Sequence, residues 1–195
     1  IGPVWSRSNI FGHGVPFKFP SLPDSGTGLT DLGKELVSIC SSMGILIDVS
    51  HINEAGFWDI AKISSNPLIA THSNVHALCK SPRNLTNSQL DAIAASKGVV
   101  GLNFANNFLR EDGLKKNDTS REIIIKHLDF LLEKLGENGV ALGSDFDGVS
   151  IPKFINDCSG LQNIVEIMNQ AGYGNELINK ICNANWLNTI SKIIK

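Results

Sequence analysis

His51 and His72 are the residues whose type and placement most directly allow chemistry, because each ends a short apolar run, 45–50 before the first and 67–71 before the second. The segment between them carries Phe57, Trp58, Ile60, Ala61 and Ile63 at helical spacing, which makes the stretch a strand, a helix and a strand. Parallel strands joined by a crossover helix run the same way. Both histidines are therefore predicted to leave the sheet at one rim, where α/β folds place their chemistry. Two imidazoles on one rim suggest a metal, whereas either alone reads more simply as a loop residue.

Further along, Asp145 and Asp147 follow the apolar run 139–144, with Gly148 behind them. Two carboxylates at a strand end, flanked by glycines that let other backbone approach, are hard to ascribe to solvation alone. Asp145 is the candidate for chemistry, and Asp147 fits equally as a turn or N-cap residue. Arg83 follows Pro82 in a loop just past the second histidine. Its guanidinium could clamp a carboxylate through two bonds, although an isolated arginine there reads first as a surface residue. His13, between two glycines, reads as an exposed histidine, His76 as solvated or packing, and His127 as structural.

These residues need elements to hold them. Runs 1–5, 45–50, 67–71, 98–104 and 139–144 read as five strands. Thr30 is predicted to cap a helix with Leu32, Leu36, Ile39, Cys40 and Met43 as one buried stripe, and Thr86 or Asn87 to cap a second through Leu90 and Ile93. Thr119 with Glu122 fits a capping box before a stripe of Ile124, Leu128, Leu131, Leu132 and Leu135. Helical patterns over 161–168 and 177–194 close the chain, with Trp186 and Leu187 expected against the outside of the sheet. Residues 10–28, rich in Gly, Pro and Ser, read as one long ordered functional loop, and 106–118 as a polar loop. Alternating strands and helices imply a parallel α/β layer, and five strands would make an incomplete (β/α) barrel.

With 195 residues and 42% hydrophobic content, the chain suits one domain or a large part of one. A net charge of -2 without a basic stripe argues against nucleic acid, and no apolar run is long enough to span a membrane. Four cysteines lack CxxC spacing. Cys40 and Cys182 are expected to be buried small hydrophobes, with Cys79 nearer the site and a reducing compartment as the milder assumption. The opening residues are already apolar and strand-like, so the sequence is expected to start inside a fold, as a carboxyl-terminal portion. Compartment stays open, with cytoplasm as the default.

Taken together and in this order, "GLTDLGKELV", "LIDVSH", "THSNVHALCKSPRNLT", "GVVGLNF" and "GSDFDG" resemble the membrane dipeptidase (renal dipeptidase) family, the zinc metallopeptidases of family M19. The resemblance covers nearly the whole chain and is stronger to bacterial members than to lipid-anchored animal ones. It implies a (β/α)8 TIM barrel of the metal-dependent hydrolase type, with 1–195 as the carboxyl-terminal part of a single domain, from about the fourth strand to the eighth. The activity implied is zinc-dependent hydrolysis of dipeptides. Two Zn2+ ions per full-length chain are implied, with His51 and His72 ligating one of them. Arg83 would hold the substrate's terminal carboxylate, and Asp145 would stand near the substrate amine and the attacking water. The family's His-x-Asp pair and bridging glutamate belong to strands absent from this sequence, so the chain alone is expected to be inactive. Trp5 stands where some members carry a histidine. The partner implied is a dipeptide, with no nucleic acid and no membrane span, a homodimer being left open. Two other readings are a hydrolase of another amide or lactam, and a non-catalytic binding or structural relative.

Overall fold

Three strands, β1 (Ile69–Ala70), β2 (Val99–Leu102) and β3 (Val140–Leu142), pair in parallel and in chain order in a computed structural model that describes residues 1–193. Ile69 is aligned with Val99, and Val100 and Leu102 with Val140 and Leu142. Every residue of β2 is buried, as expected of a parallel strand covered on both faces.

The two other predicted strands are shorter than expected. Residues 45–50 make one parallel bridge, Asp48 with Ile69, supported by the Val49 N–H donating to the Ile69 carbonyl at 2.8 Å. Asp48 ends the ladder itself, because its carboxylate accepts the N–H groups of Ser50 and Thr71, both at 2.9 Å. His51 then turns into the left-handed region at φ 73°, which stops the extended run. At the opening of the chain, the Ile1 amino group donates to the Leu46 carbonyl and Asp48 N–H donates to that of Ile1. That is the bonding of a parallel pair, confined to one residue, since Trp5 bridges only back to Arg7.

Helix α1 (Asp31–Ser42) starts as expected, with the Thr30 hydroxyl accepting the Gly33 N–H at 3.1 Å. Its buried face, however, is Gly33, Val37 and Cys40, while Leu32, Ile39 and Met43 are exposed. The rotation is set by the long loop: Thr30 donates to the Ile10 carbonyl, and Gly33 lies against the carbonyl of Phe11. Helix α2 (Glu54–Ile63), capped by Asn53, buries Phe57 and Ile60 completely. At about 1.5–3 kcal/mol for each such side chain, this face anchors the crossover between the histidine segments. Helix α3 (Asn87–Ala95) carries a full Thr86–Gln89 capping box.

A short helix, α4 (Asn106–Leu109), opens the stretch expected to be only a polar loop. It also removes the predicted Thr119 cap: the Thr119 hydroxyl donates to Asn106 Oδ1 at 2.6 Å, and α5 (Arg121–Leu135) begins after Ser120 without a side-chain cap bond. After α6 (Leu161–Gln170), the expected last helix is divided into α7 (Asn175–Asn179), a π turn (Lys180–Ala184) and α8 (Asn185–Ser191). Its predicted end at Ile194 lies outside the described residues. Helix α8 docks on β3 through Asn185 Nδ2 to the Val140 carbonyl and Trp186 Nε1 to that of Leu142. Leu187 and Cys182, both expected to be buried, are exposed. Among the described residues, no helix is long and apolar enough to cross a membrane.

Candidate metal centre

The alignment of Asp48 with Ile69 brings His51 and His72 side by side, their Nε2 atoms 2.8 Å apart. Each ring is held from behind. The Thr71 hydroxyl contacts Asp48 Oδ2 and, at 2.6 Å, His72 Nδ1. Its single proton goes to the carboxylate, which has none to give, so Thr71 must accept from the Nδ1–H of His72. That leaves the Nε2 lone pair of His72 pointing at its neighbour. The Ser6 hydroxyl sits 2.7 Å from His51 Nδ1 and can rotate to donate or accept, so His51 can present either tautomer.

Both rings are kept neutral. Burial pushes His51 down to about 2, with the Arg83 and His72 charges adding to it, and burial followed by Arg83 lowers His72 against the opposing pull of Asp48 and Asp145. A neutral imidazole with its far nitrogen tied to an oxygen is the form that ligates metal. The donor set therefore fits a metal ion such as zinc, which His51 and His72 would hold through their Nε2 atoms. Among the described residues no group of three or more His, Cys, Asp or Glu side chains is placed to hold a metal ion.

Arg83 is 7% exposed, not the surface residue it first suggests. Its loop is closed on itself: Asn84 Nδ2 donates to the carbonyls of Cys79 and Phe108 at 2.8 Å, and Leu85 N–H donates to that of Asn74. One guanidinium nitrogen donates to the His72 carbonyl at 3.1 Å, and the charge lies 5.4 Å from the centre of the Phe108 ring. The Nε–H has no partner, and Arg83 makes no ion pair among the described residues. Burial pushes it down to about 10, so it remains a cation at neutral pH. A buried cation with an idle donor has hydrogen-bonding capacity left for an anionic partner.

Asp145 stands in the left-handed region at φ 58°, with Oδ2 accepting from Asn103 Nδ2 at 2.8 Å. The Asn74 side chain in turn serves both backbone groups of Asn103, its Nδ2 donating to the carbonyl and its Oδ1 accepting the N–H, both at 2.9 Å. The ends of β1 and β2 are thus locked together directly behind Asp145. Asp147, also at positive φ, is exposed in the turn that follows.

His51, Arg83 and Asp145 line one cleft of about 600 Å³, at the carboxyl ends of the strands. A second cleft, of about 490 Å³, opens at their other end beside Gly98 and Gly139 and carries no His, Cys, Asp, Glu or Arg. The remaining histidines serve the scaffold. His76 Nε2 donates to the Ser21 carbonyl, buried His127 bridges the Val75 N–H and the Leu109 carbonyl, and the His13 ring is bonded to the Ser8 hydroxyl. The fully buried Cys79 donates to the Asn107 carbonyl beside the cleft.

Sequence reasoning from apolar runs missed Asp48, Thr71, Ser6 and Asn103. The available signals were a charged residue inside an otherwise apolar run, in "LIDVSH", and an amide at a strand end, in "GLNF".

Comparison with known proteins gives a consistent result. The model of the membrane dipeptidase family, peptidase family M19, matches residues 1–194. A Klebsiella pneumoniae protein described only as uncharacterized, in the pqqA 5' region, is 47% identical over 99% of this chain and 71% of its own length. A solved metallo peptidase from Rhodobacter sphaeroides, liganded with a phosphinate mimic of the dipeptide L-Ala-D-Ala, superposes with TM-score 0.97 at 50% identity over 98% of this chain. The solved dipeptidase AC, a metallo peptidase of family M19, gives the same TM-score and identity. The chain spans 55% and 57% of those two solved proteins.

Proposed function

The chain belongs to the membrane dipeptidase family, peptidase family M19, and from that premise we propose that the whole protein is a zinc-dependent dipeptidase whose carboxylate clamp and one pair of metal donors lie in residues 1–195. The observation that carries the reading is the buried Arg83, its Nε–H idle, in the same cleft as His51, whose ring meets that of His72. A free dipeptide carries one carboxylate at a fixed distance from its only peptide bond. An anion anchor beside a metal pair therefore selects that substrate class over longer chains.

His51 and His72 would hold one zinc through their Nε2 atoms. Bound there, zinc supplies Lewis acidity toward the peptide carbonyl and a water acidified to near neutrality. Arg83 binds the terminal carboxylate through its guanidinium, which fixes the peptide bond at the mouth of the pair. Asp145, its Oδ2 held by Asn103, uses Oδ1 to take the proton of the attacking water and return it to the leaving amine. The remaining metal donors come from the part of the barrel not contained in 1–195, so these residues alone are inactive. We read them as strands four to eight of one barrel domain, a reading supported by their parallel order and by the match to just over half of the solved relatives.

The test is zinc content and dipeptide hydrolysis of the whole protein. About two zinc per chain, reduced in His51→Ala, with KM raised at least about tenfold in Arg83→Ala, is the expected result. A folded whole protein that neither binds zinc nor cleaves any dipeptide would sink the proposal. Activity indifferent to Arg83 would instead favour hydrolysis of another amide.

A further inference from the structure

One wall of the cleft is aromatic, and no other described residue covers it. Trp5 is 55% exposed, Phe17 70% and Phe19 40%, all lining the space that holds His51, Arg83 and Asp145. Single exposed aromatics are ordinary, but a contiguous group beside reactive side chains marks a binding surface. The group is contiguous: the Trp5 ring lies 5.7 Å from Phe17 and 5.5 Å from His51, and the Arg7 guanidinium sits 5.6 Å from the centre of Phe17.

The wall is also fastened in place. The long loop that carries Phe17 and Phe19 is tied to the segment around His51 by Val15 N–H to the His51 carbonyl and by Asn53 N–H to that of His13. Asn53 Nδ2 further donates to the Thr27 carbonyl at 2.9 Å, while Ser21 is bonded to Lys80 through its N–H and to His76 through its carbonyl. Two glycines make room for the aromatics. A Cβ on Gly14 would strike the Trp5 carbonyl oxygen, and one on Gly113, at φ 65°, would lie 2.5 Å from the Phe19 ring. An apolar surface already ordered before binding loses little entropy when a ligand covers it.

Resting on the dipeptide reading above, we propose that Trp5 and Phe17 form a side-chain subsite, so that the protein prefers dipeptides bearing a large apolar or aromatic side chain. The shape of the cleft supports this division of labour. Arg83 and the histidine pair engage the groups every dipeptide shares, its carboxylate and its peptide bond. The aromatic wall adjoins His51 and meets the part that differs between dipeptides.

The experiment measures kcat/KM of the zinc-loaded whole protein for Ala-Ala, Ala-Leu, Leu-Ala, Ala-Phe and Phe-Ala. Wild type is expected to favour at least one Leu or Phe dipeptide over Ala-Ala by about tenfold or more. That ratio should fall toward one in Trp5→Ala and in Phe17→Ala and return in Trp5→Phe. A flat wild-type profile, or variants that slow all five dipeptides equally, overturns the proposal. A second readout does not depend on turnover: tryptophan emission of the metal-stripped protein, titrated with Ala-Phe and Ala-Ala. Tighter binding of Ala-Phe, with the response lost in Trp5→Phe, supports the subsite even in a preparation that cleaves nothing, which would defeat only the dipeptidase reading. Equal titrations overturn the subsite.

Discussion

Replacing Thr71 with valine keeps the branched shape of the side chain and removes one hydroxyl, the one that stands between Asp48 and His72. Asp48 Oδ1 still accepts the N–H groups of Ser50 and Thr71, so the two histidine segments stay paired. His72 Nδ1–H, however, loses its acceptor, and the tautomer with a bare Nε2 is no longer imposed. Removing such a partner behind a metal-binding histidine costs about 10–100-fold in affinity, or about 1.4–2.7 kcal/mol. The two lost hydrogen bonds, one of them to a carboxylate, would together cost folding about 2–4 kcal/mol, so the Tm of the variant is measured before its affinity is compared. The assay is competition for zinc between the whole protein and a chelator of known affinity, with Thr71→Ser as the control that restores the hydroxyl. A Thr71→Val affinity within about twofold of wild type, or a Thr71→Ser affinity as poor as that of valine, would refute the relay.

Three further outcomes are expected. Asp145→Asn should retain the contact to Asn103 but lose the proton acceptor, lowering kcat by about 10²–10⁴ with KM nearly unchanged, as read from steady-state rates. Burial pushes His127 down to about 4 in the folded chain, against an ordinary 6.5. Between those values the unfolded chain binds the extra proton, so stability falls as pH falls from 6.5 to 4, by about 3 kcal/mol from this group. Urea unfolding at pH 7 and pH 4.5 should show a shallower loss in His127→Gln than in wild type. Gly14→Ala should force the loop away from the Trp5 carbonyl, destabilising by about 1–3 kcal/mol, visible as a lower Tm.

What could be read in the sequence was whatever depends on local periodicity. The caps at Thr30 and Thr86, the crossover helix with Phe57 and Ile60 inside, and the shared rim of His51 and His72 follow from spacing along the chain. What could not be read depends on how segments approach one another. Helix α1 offers two apolar faces, and only the seating of Phe11 against Gly33 decides that Val37 and Cys40 go inward and Ile39 outward. Thr119 is a good N-cap residue by type, yet its hydroxyl is taken by Asn106 from another helix. Arg83 looks solvent-facing in a Pro-containing loop until Asn84 ties that loop to Cys79 and Phe108. The relay from Asp48 through Thr71 joins residues whose contact exists only once the segments are in register.

That register bears on the order in which the site is assembled. The two oxygens of one carboxylate have separate duties: Oδ1 gathers the amides of both histidine segments, and Oδ2, through the Thr71 hydroxyl, sets the proton on the His72 ring. Slipping either segment by a single residue would turn its side chains to the opposite face and leave Asp48 holding the wrong amides. Only one alignment satisfies it, and that alignment already fixes the gap between the imidazoles. The gap is thus decided while the sheet forms, so the meeting of the two rings is a by-product of strand register.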